Sequence, residues 1–189
     1  MSAYHDFLIN PDIEDLAGWS QEAADLDTII LDASDWGELK RKIGESRQEA
    51  DVLVFKGGTN FDVRACEDPR LDIILVTGDS RITQSTAEAA SKNNVKIAFD
   101  LSQLRSDRVE KMKLWKTDIK IITKHGAEYM VTTNANTGKD IRAPRDIAAL
   151  INELGGKGIQ AVKRTPSNLM REIEERESEG FVNKGVEEV

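Results

Sequence analysis

Residues 72–76 read Asp-Ile-Ile-Leu-Val, four aliphatic side chains in a row with no polar residue between them. A strand with one wet face alternates apolar and polar residues, so this run predicts a strand covered on both sides, as in the parallel sheets of α/β proteins. The whole candidate strand is Leu71–Val76, and similar short runs stand at Thr28–Leu31, Val52–Phe55, Val95–Phe99, Tyr129–Thr133 and Ile159–Val162, with helical-length stretches between them. With Tyr4–Ile9 as a first strand and Ile13–Asp25 as its helix, the chain gives about seven β-α units at roughly 25-residue spacing. That alternation predicts an α/β fold, an irregular TIM-like β/α barrel with about seven parallel strands in a single domain. An open doubly wound sheet is the alternative, because periodicity alone does not fix closure.

Pro144 in APRDIAAL and Pro166 in TPSNLMREI stand where a first-turn proline sacrifices no hydrogen bond, so both mark helix starts after strand-to-helix loops. The glycines of LGGKGIQ (154–160) stop a helix before the final strand. Residues 1–177 make the domain, and 178–189 are expected to be a flexible acidic tail, since SEGFVNKGVEEV has little apolar periodicity to pack.

At 189 residues, with 39% hydrophobic and 32% charged side chains, the chain is long enough to bury a core and is neither collagenous nor disordered throughout. It has no apolar run near the ~20 residues of a spanning helix and no signal-peptide pattern at its start, so a cytoplasmic protein is expected. Its single cysteine, Cys66, excludes an internal disulfide and a thiolate zinc cage.

The net charge of −8 hides an uneven distribution: residues 1–60 carry −8, residues 61–170 carry +4 and residues 171–189 carry −4. Lys113, Lys116, Lys120 and Lys124 recur three and four apart and share one side of a helix, with Met112, Trp115, Ile119 and Ile122 on another. Such a face is either solvated surface or a phosphate-contacting face. On the barrel assignment, Lys56, Arg64, Arg70, Arg81, Arg105, Arg108, Arg142, Arg145, Lys163 and Arg164 lie in or near loops, most of them toward one rim. Arginine suits forked contacts with phosphate oxygens, so these residues and the four lysines are the candidate RNA-binding set. Trp36 and Trp115 fit core packing better than base stacking.

The usual chemistries are poorly supplied. The only histidines are His5 and His125, too few for a histidine-rich metal centre, and His125 fits a helix end. Cys66 has no neighbouring base, so it reads as a buried thiol. Gly57-Gly58-Thr59-Asn60 follows a strand as a phosphate-cradling turn would, but it lacks the P-loop spacing and reads as a tight turn. No catalytic residue and no metal site is assigned in this chain. Two rivals remain: a metal-dependent phosphoesterase built on Asp6, Asp100 and Asp140, and an adaptor that binds only protein.

Three ordered blocks carry a resemblance: GGTNFDVRACEDPRLDIIL (57–75), TTNANTGKDIRAPRDIAAL (132–150) and VKRTPSNLMRE (162–172). With the spacing between them they cover residues 4–176, and the chain resembles the archaeal RNase P protein component 3 family. The resemblance implies an irregular TIM-like barrel and a subunit of ribonuclease P, the endonuclease that removes the 5′ leader of precursor tRNA. It implies catalysis by the RNA subunit with its Mg²⁺ ions, and no cofactor in this chain. As partners it implies the RNase P RNA, precursor tRNA indirectly, a small α/β RNase P protein subunit and other RNase P proteins. Tyr4-His5-Asp6-Phe7-Leu8 stands where the hydrolase relatives of that barrel carry His-x-His, a departure that argues against a retained metal site.

Overall fold

Five of the apolar runs pair into one parallel sheet in the order of the chain: β1 (Thr28–Leu31), β2 (Val52–Lys56), β3 (Ile73–Val76), β4 (Lys96–Asp100) and β5 (Tyr129–Thr132). The register sets Ile30 beside Val54, Val54 beside Ile73, Ile74 beside Ile97 and Ile97 beside Tyr129. The computed structural model describes residues 4–9, 16, 18–78, 81–178, 181–183 and 186–187. The helices are α1 (Gln21–Ala24), α2 (Trp36–Ser46), α3 (Asp62–Cys66), α4 (Gln84–Lys92), α5 (Arg108–Lys124), α6 (Pro144–Glu153) and α7 (Thr165–Glu177).

Strand alternation sorts the core into two layers. Leu53, Phe55, Ile74, Val76, Ile97, Phe99, Tyr129 and Val131 face one way and pack on α2 through α6, for example on Leu39, Ile43, Trp115, Ile119 and Ile151. Val52, Val54, Ile73, Leu75, Ala98 and Met130 face the other way, onto Phe7, Ala23 and the α7 residues Leu169, Met170 and Ile173. A doubly wound sheet reverses strand order part-way and carries crossover helices on both faces; sequential order with α2–α6 on one face is single winding.

The expected seven parallel strands are corrected to five among the described residues, for two local reasons. Tyr4–Ile9 forms only an isolated bridge, Tyr4 to Trp19, because Asp6 turns its carboxylate onto the Leu8 amide and bends the chain two residues later. Ile159–Val162 is helical: Gln160–Arg164 is a π-helical turn that runs into α7. Gly158 explains the approach, since a Cβ there would lie 2.0 Å from the Ala148 carbonyl oxygen on α6. Gly158→Ala therefore forces backbone apart and is expected to lower stability by about 1–3 kcal/mol, read as a drop in thermal midpoint.

Pro144 begins α6 as expected, while Pro166 follows the π turn instead of a strand. The expected helix Ile13–Asp25 falls partly outside the described residues, and within them only Gln21–Ala24 is helical, since Trp19 is taken up in the bridge to Tyr4. Much of the 178–189 tail also lies outside them, although Phe181–Asn183 pairs antiparallel with Val186–Glu187. No helix among the described residues is long and apolar enough to cross a membrane.

Candidate functional site

Parallel strands deliver all their outgoing loops to one edge of the sheet, and two of those loops build a cleft there. At the end of β4, Asp100 accepts a hydrogen bond from the Ser102 amide (2.8 Å) and starts a 3₁₀ turn, Leu101–Arg105, that half-buries Leu101 and Leu104 and leaves Arg105 exposed. Asp107, in the left-handed region at φ 48°, redirects the chain into α5 at Arg108. After β5, Asn134 (φ 46°) turns the next loop and donates to Asp100 at 3.1 Å, tying the two loops together.

The β5–α6 loop then folds on Asp140, which accepts from the Thr137 amide (3.2 Å) and hydroxyl (2.9 Å) and pairs with Arg105 at 2.7 Å. The Thr137 hydrogen bond and the Arg105 guanidinium hold the Asp140 carboxyl below the usual carboxylate range. Arg142 donates to the carbonyls of Lys139 (3.0 Å) and Ile141 (2.7 Å), which steadies it at the cleft edge. The result is a cleft of about 300 Å³ lined by Arg105, Arg108 and Arg142, by Asp140 and Asp146, by Ser102 and Thr133, and by Leu101, Leu104, Ile147 and Leu150. Three arginines against two carboxylates leave the lining net positive beside an apolar floor, which suits an anion with an apolar portion.

A second hollow of about 250 Å³ at the same edge is lined by Gly58, Thr59, Asn60, Arg81 and Thr83. Gly57 is there because a Cβ would lie 2.9 Å from Ile74. The turn is occupied from within: the amides of Gly58 and Thr59 donate to the Asp62 carboxylate at 2.9 and 3.0 Å, so they cradle a side chain where a phosphate would sit. Arg81 is engaged by the buried Asp118 at 3.0 Å, and burial raises that carboxyl despite the guanidinium.

The carboxylates of the phosphoesterase alternative are each committed elsewhere. Asp6 is held by Thr132 and Thr133, Asp100 by Ser102 and Asn134, and Asp140 by Thr137 and Arg105. Among the described residues, no three His, Cys, Asp or Glu side chains are grouped to share a metal ion. Cys66 is buried and its thiol is pushed up to about 12 by burial. His125 stands at the C-terminal end of α5, where its Nδ1 meets Glu88 at 3.0 Å.

The structure disperses the remaining candidate cations. Lys56 is at the end of β2, outside the cleft lining and 3.5 Å from Asp32. Arg145 is exposed in the first turn of α6, and Arg64 is exposed on α3. Lys113, Lys116, Lys120 and Lys124 form an exposed face of α5, with Lys113 paired to Glu110. Lys163 lies over the Tyr4 ring and Arg164 is exposed beside it in the π turn. Arg70 is at the opposite edge, before β3, chelated by Asp68 at 2.7 and 2.9 Å. Trp115 is buried against Phe99, and Trp36 packs partly buried on the core.

The profile of the RNase P subunit p30 family matches residues 10–178. The chain belongs to that family. Among the relatives of this p30-family chain, ribonuclease P protein component 3 of Methanococcoides burtonii is 30% identical over 171 residues, 85% of this chain and 70% of that protein. The component of the same name from Methanothermobacter thermautotrophicus is 27% identical over 157 residues, 76% of this chain and 64% of that protein. One chain in the cryo-EM structure of archaeal ribonuclease P with mature tRNA shares the fold, with a TM-score of 0.70 at 22% identity over 85% of this chain and 73% of that one. Like other members of the p30 family, the protein is a subunit of ribonuclease P, the enzyme that matures tRNA 5′ ends.

Sequence reasoning about this p30-family chain found the three arginines but missed the leucines beside them and the internal carboxylate in the glycine turn. The first have a signal in the Leu101/Leu104 spacing of a short turn, and the second in Thr59-x-x-Asp62, a side chain three residues on from the amide it accepts from.

Proposed function

We propose that this ribonuclease P subunit supports the catalytic RNA in removing the 5′ leader of precursor tRNA, holding RNA phosphates on its cleft arginines and supplying no catalytic group itself. The supporting observation is the convergence of Arg105, Arg108 and Arg142 on one cleft at the loop edge of the sheet. Guanidinium groups gathered on one cleft favour a folded polyanion without reading its sequence. The Mg²⁺ ions belong to the RNA, and a small α/β protein subunit is the companion on the protein side. The singly wound sheet is one wall of an irregular barrel whose interior face is filled by α7.

The test is reconstituted cleavage of precursor tRNA with Arg142 and Arg145 both replaced by alanine. Protein cations and divalent ions neutralise the same phosphates, so the variant should cleave roughly tenfold more slowly at low Mg²⁺ and recover as Mg²⁺ is raised. Equal rates across the whole Mg²⁺ range, from a variant with unchanged circular dichroism, would overturn the proposal.

A further inference from the structure

We propose that the cleft between the Leu101–Arg105 turn and α6 takes a single unpaired nucleotide of RNA, the base on the leucine floor and the phosphate on the arginines. This rests on the RNA-binding role argued above and narrows it to single-stranded RNA.

The floor carries the argument. Leu101, Leu104 and Leu150 are half-buried and line the cleft with the buried Ile147, directly beside the three arginines. Phosphates alone require no apolar surface, and an A-form duplex, with its bases stacked inward, offers a protein mainly phosphates and 2′-hydroxyls. An unstacked base has two apolar faces and a polar edge, which match a leucine floor and the Ser102 hydroxyl of the wall. The size agrees: about 300 Å³ is at the small end of ligand cavities, enough for one nucleotide and closed to a helix.

Charge is arranged for a competing anion. Arg105 rests on Asp140 at 2.7 Å, with the Arg105 side chain 58% exposed, so an incoming phosphate meets a guanidinium already pointed at the cleft and still open to solvent. Asp140 and Asp146 bring the lining to a net single positive charge when Arg108 and Arg142 are counted with Arg105. The cleft therefore fits one phosphate with its base, while a continuous backbone track would need the surrounding cations.

Binding of the full chain to a labelled twelve-nucleotide single strand and to a twelve-base-pair duplex is the test, read by fluorescence anisotropy at one salt concentration. Leu104→Asn makes the floor polar and keeps every arginine; it should weaken single-strand binding about tenfold and leave duplex binding within twofold. Arg142→Ala should weaken both. If Leu104→Asn leaves single-strand affinity unchanged while Arg142→Ala lowers it, the nucleotide inference falls and the phosphate-holding role survives. If Arg142→Ala affects neither RNA, that role falls as well. Wild-type chain supplies a readout free of folding defects: a single 2-aminopurine in the strand should brighten when its base leaves the stack for the cleft, and unchanged emission at every position would overturn the inference.

Discussion

Asp72→Ala should lower folding stability by about 3–5 kcal/mol, a large part of the 5–15 kcal/mol that holds an ordinary domain together. Asp72 is fully buried at the start of β3. Its Oδ2 accepts from Arg47 at 2.6 Å and from the Leu53 amide at 2.9 Å, and its Oδ1 accepts from Arg176 at 3.1 Å. Arg47 also donates to the carbonyls of Ala50 and Asp51, and Arg176 reaches the Asp51 carbonyl as well. One carboxylate thus joins the end of α2, the entry to β2 and the last turn of α7.

Truncation to alanine strands two guanidinium groups whose side chains are only 14% and 13% exposed, and this uncompensated charge accounts for most of the loss. Asp72→Asn keeps the shape and one acceptor, so it should fall between alanine and wild type. Urea unfolding monitored by circular dichroism measures both. A loss under 1 kcal/mol for Asp72→Ala would mean that α7 is held by its apolar face alone.

The same edge shows how far the sequence could be read. All five strands of the parallel sheet were legible because each is a short apolar run flanked by helix-length segments; β2 to β5 are buried on both faces, as that pattern requires, while the edge strand β1 leaves Ile30 exposed. What escaped was decided by contacts distant in sequence. Lys96 opens a buried strand and is itself fully buried, which no local pattern allows for; it is neutralised by Glu128 at 3.3 Å and by Glu172 of α7 at 2.9 Å. With Asn168 on Glu128 and Arg176 on Asp72, those pairs lay α7 across the entry edge of β5, β4 and β3.

A run such as Ile159–Val162 is apolar enough for either strand or helix, and the glycine approach to α6 chooses helix. For the cleft, arginines after strands were visible as loop residues, but which of them would meet depended on the Arg105–Asp140 pair and on Asp107 and Asn134 taking left-handed turns. Arg70 reads like the others in sequence and ends at the opposite edge, because it precedes its strand.

Asp6→Ala should cost about 3 kcal/mol and also disturb the cleft, although Asp6 does not line it. The buried carboxylate accepts from the Thr132 hydroxyl (2.5 Å), the Thr133 amide (2.7 Å), the Thr133 hydroxyl (2.8 Å) and the Leu8 amide (3.1 Å), so it clamps residues 4–9 to the end of β5. Close by in the same N-terminal region, Trp19, bridged to Tyr4, donates its indole N–H to the Arg142 carbonyl at 2.9 Å. Cutting the clamp frees both supports of the Arg142 loop. Burial raises the Asp6 carboxyl above its ordinary 3.8, and the four donors pull it only part of the way back. A folded value above the unfolded one means that the folded chain holds the extra proton in the window between them, so the stability Asp6 contributes is full in acid and declines as pH rises through that window. The deficit of Asp6→Ala should therefore be larger below about pH 4 than near pH 7 when urea midpoints are compared. A deficit that grows with pH would show that the four hydrogen bonds outweigh burial. As a positioning residue, Asp6 should also affect RNA: the alanine variant, still folded at 10 °C, should lose affinity as Arg142→Ala does, and wild-type affinity in that state would separate the clamp from the cleft.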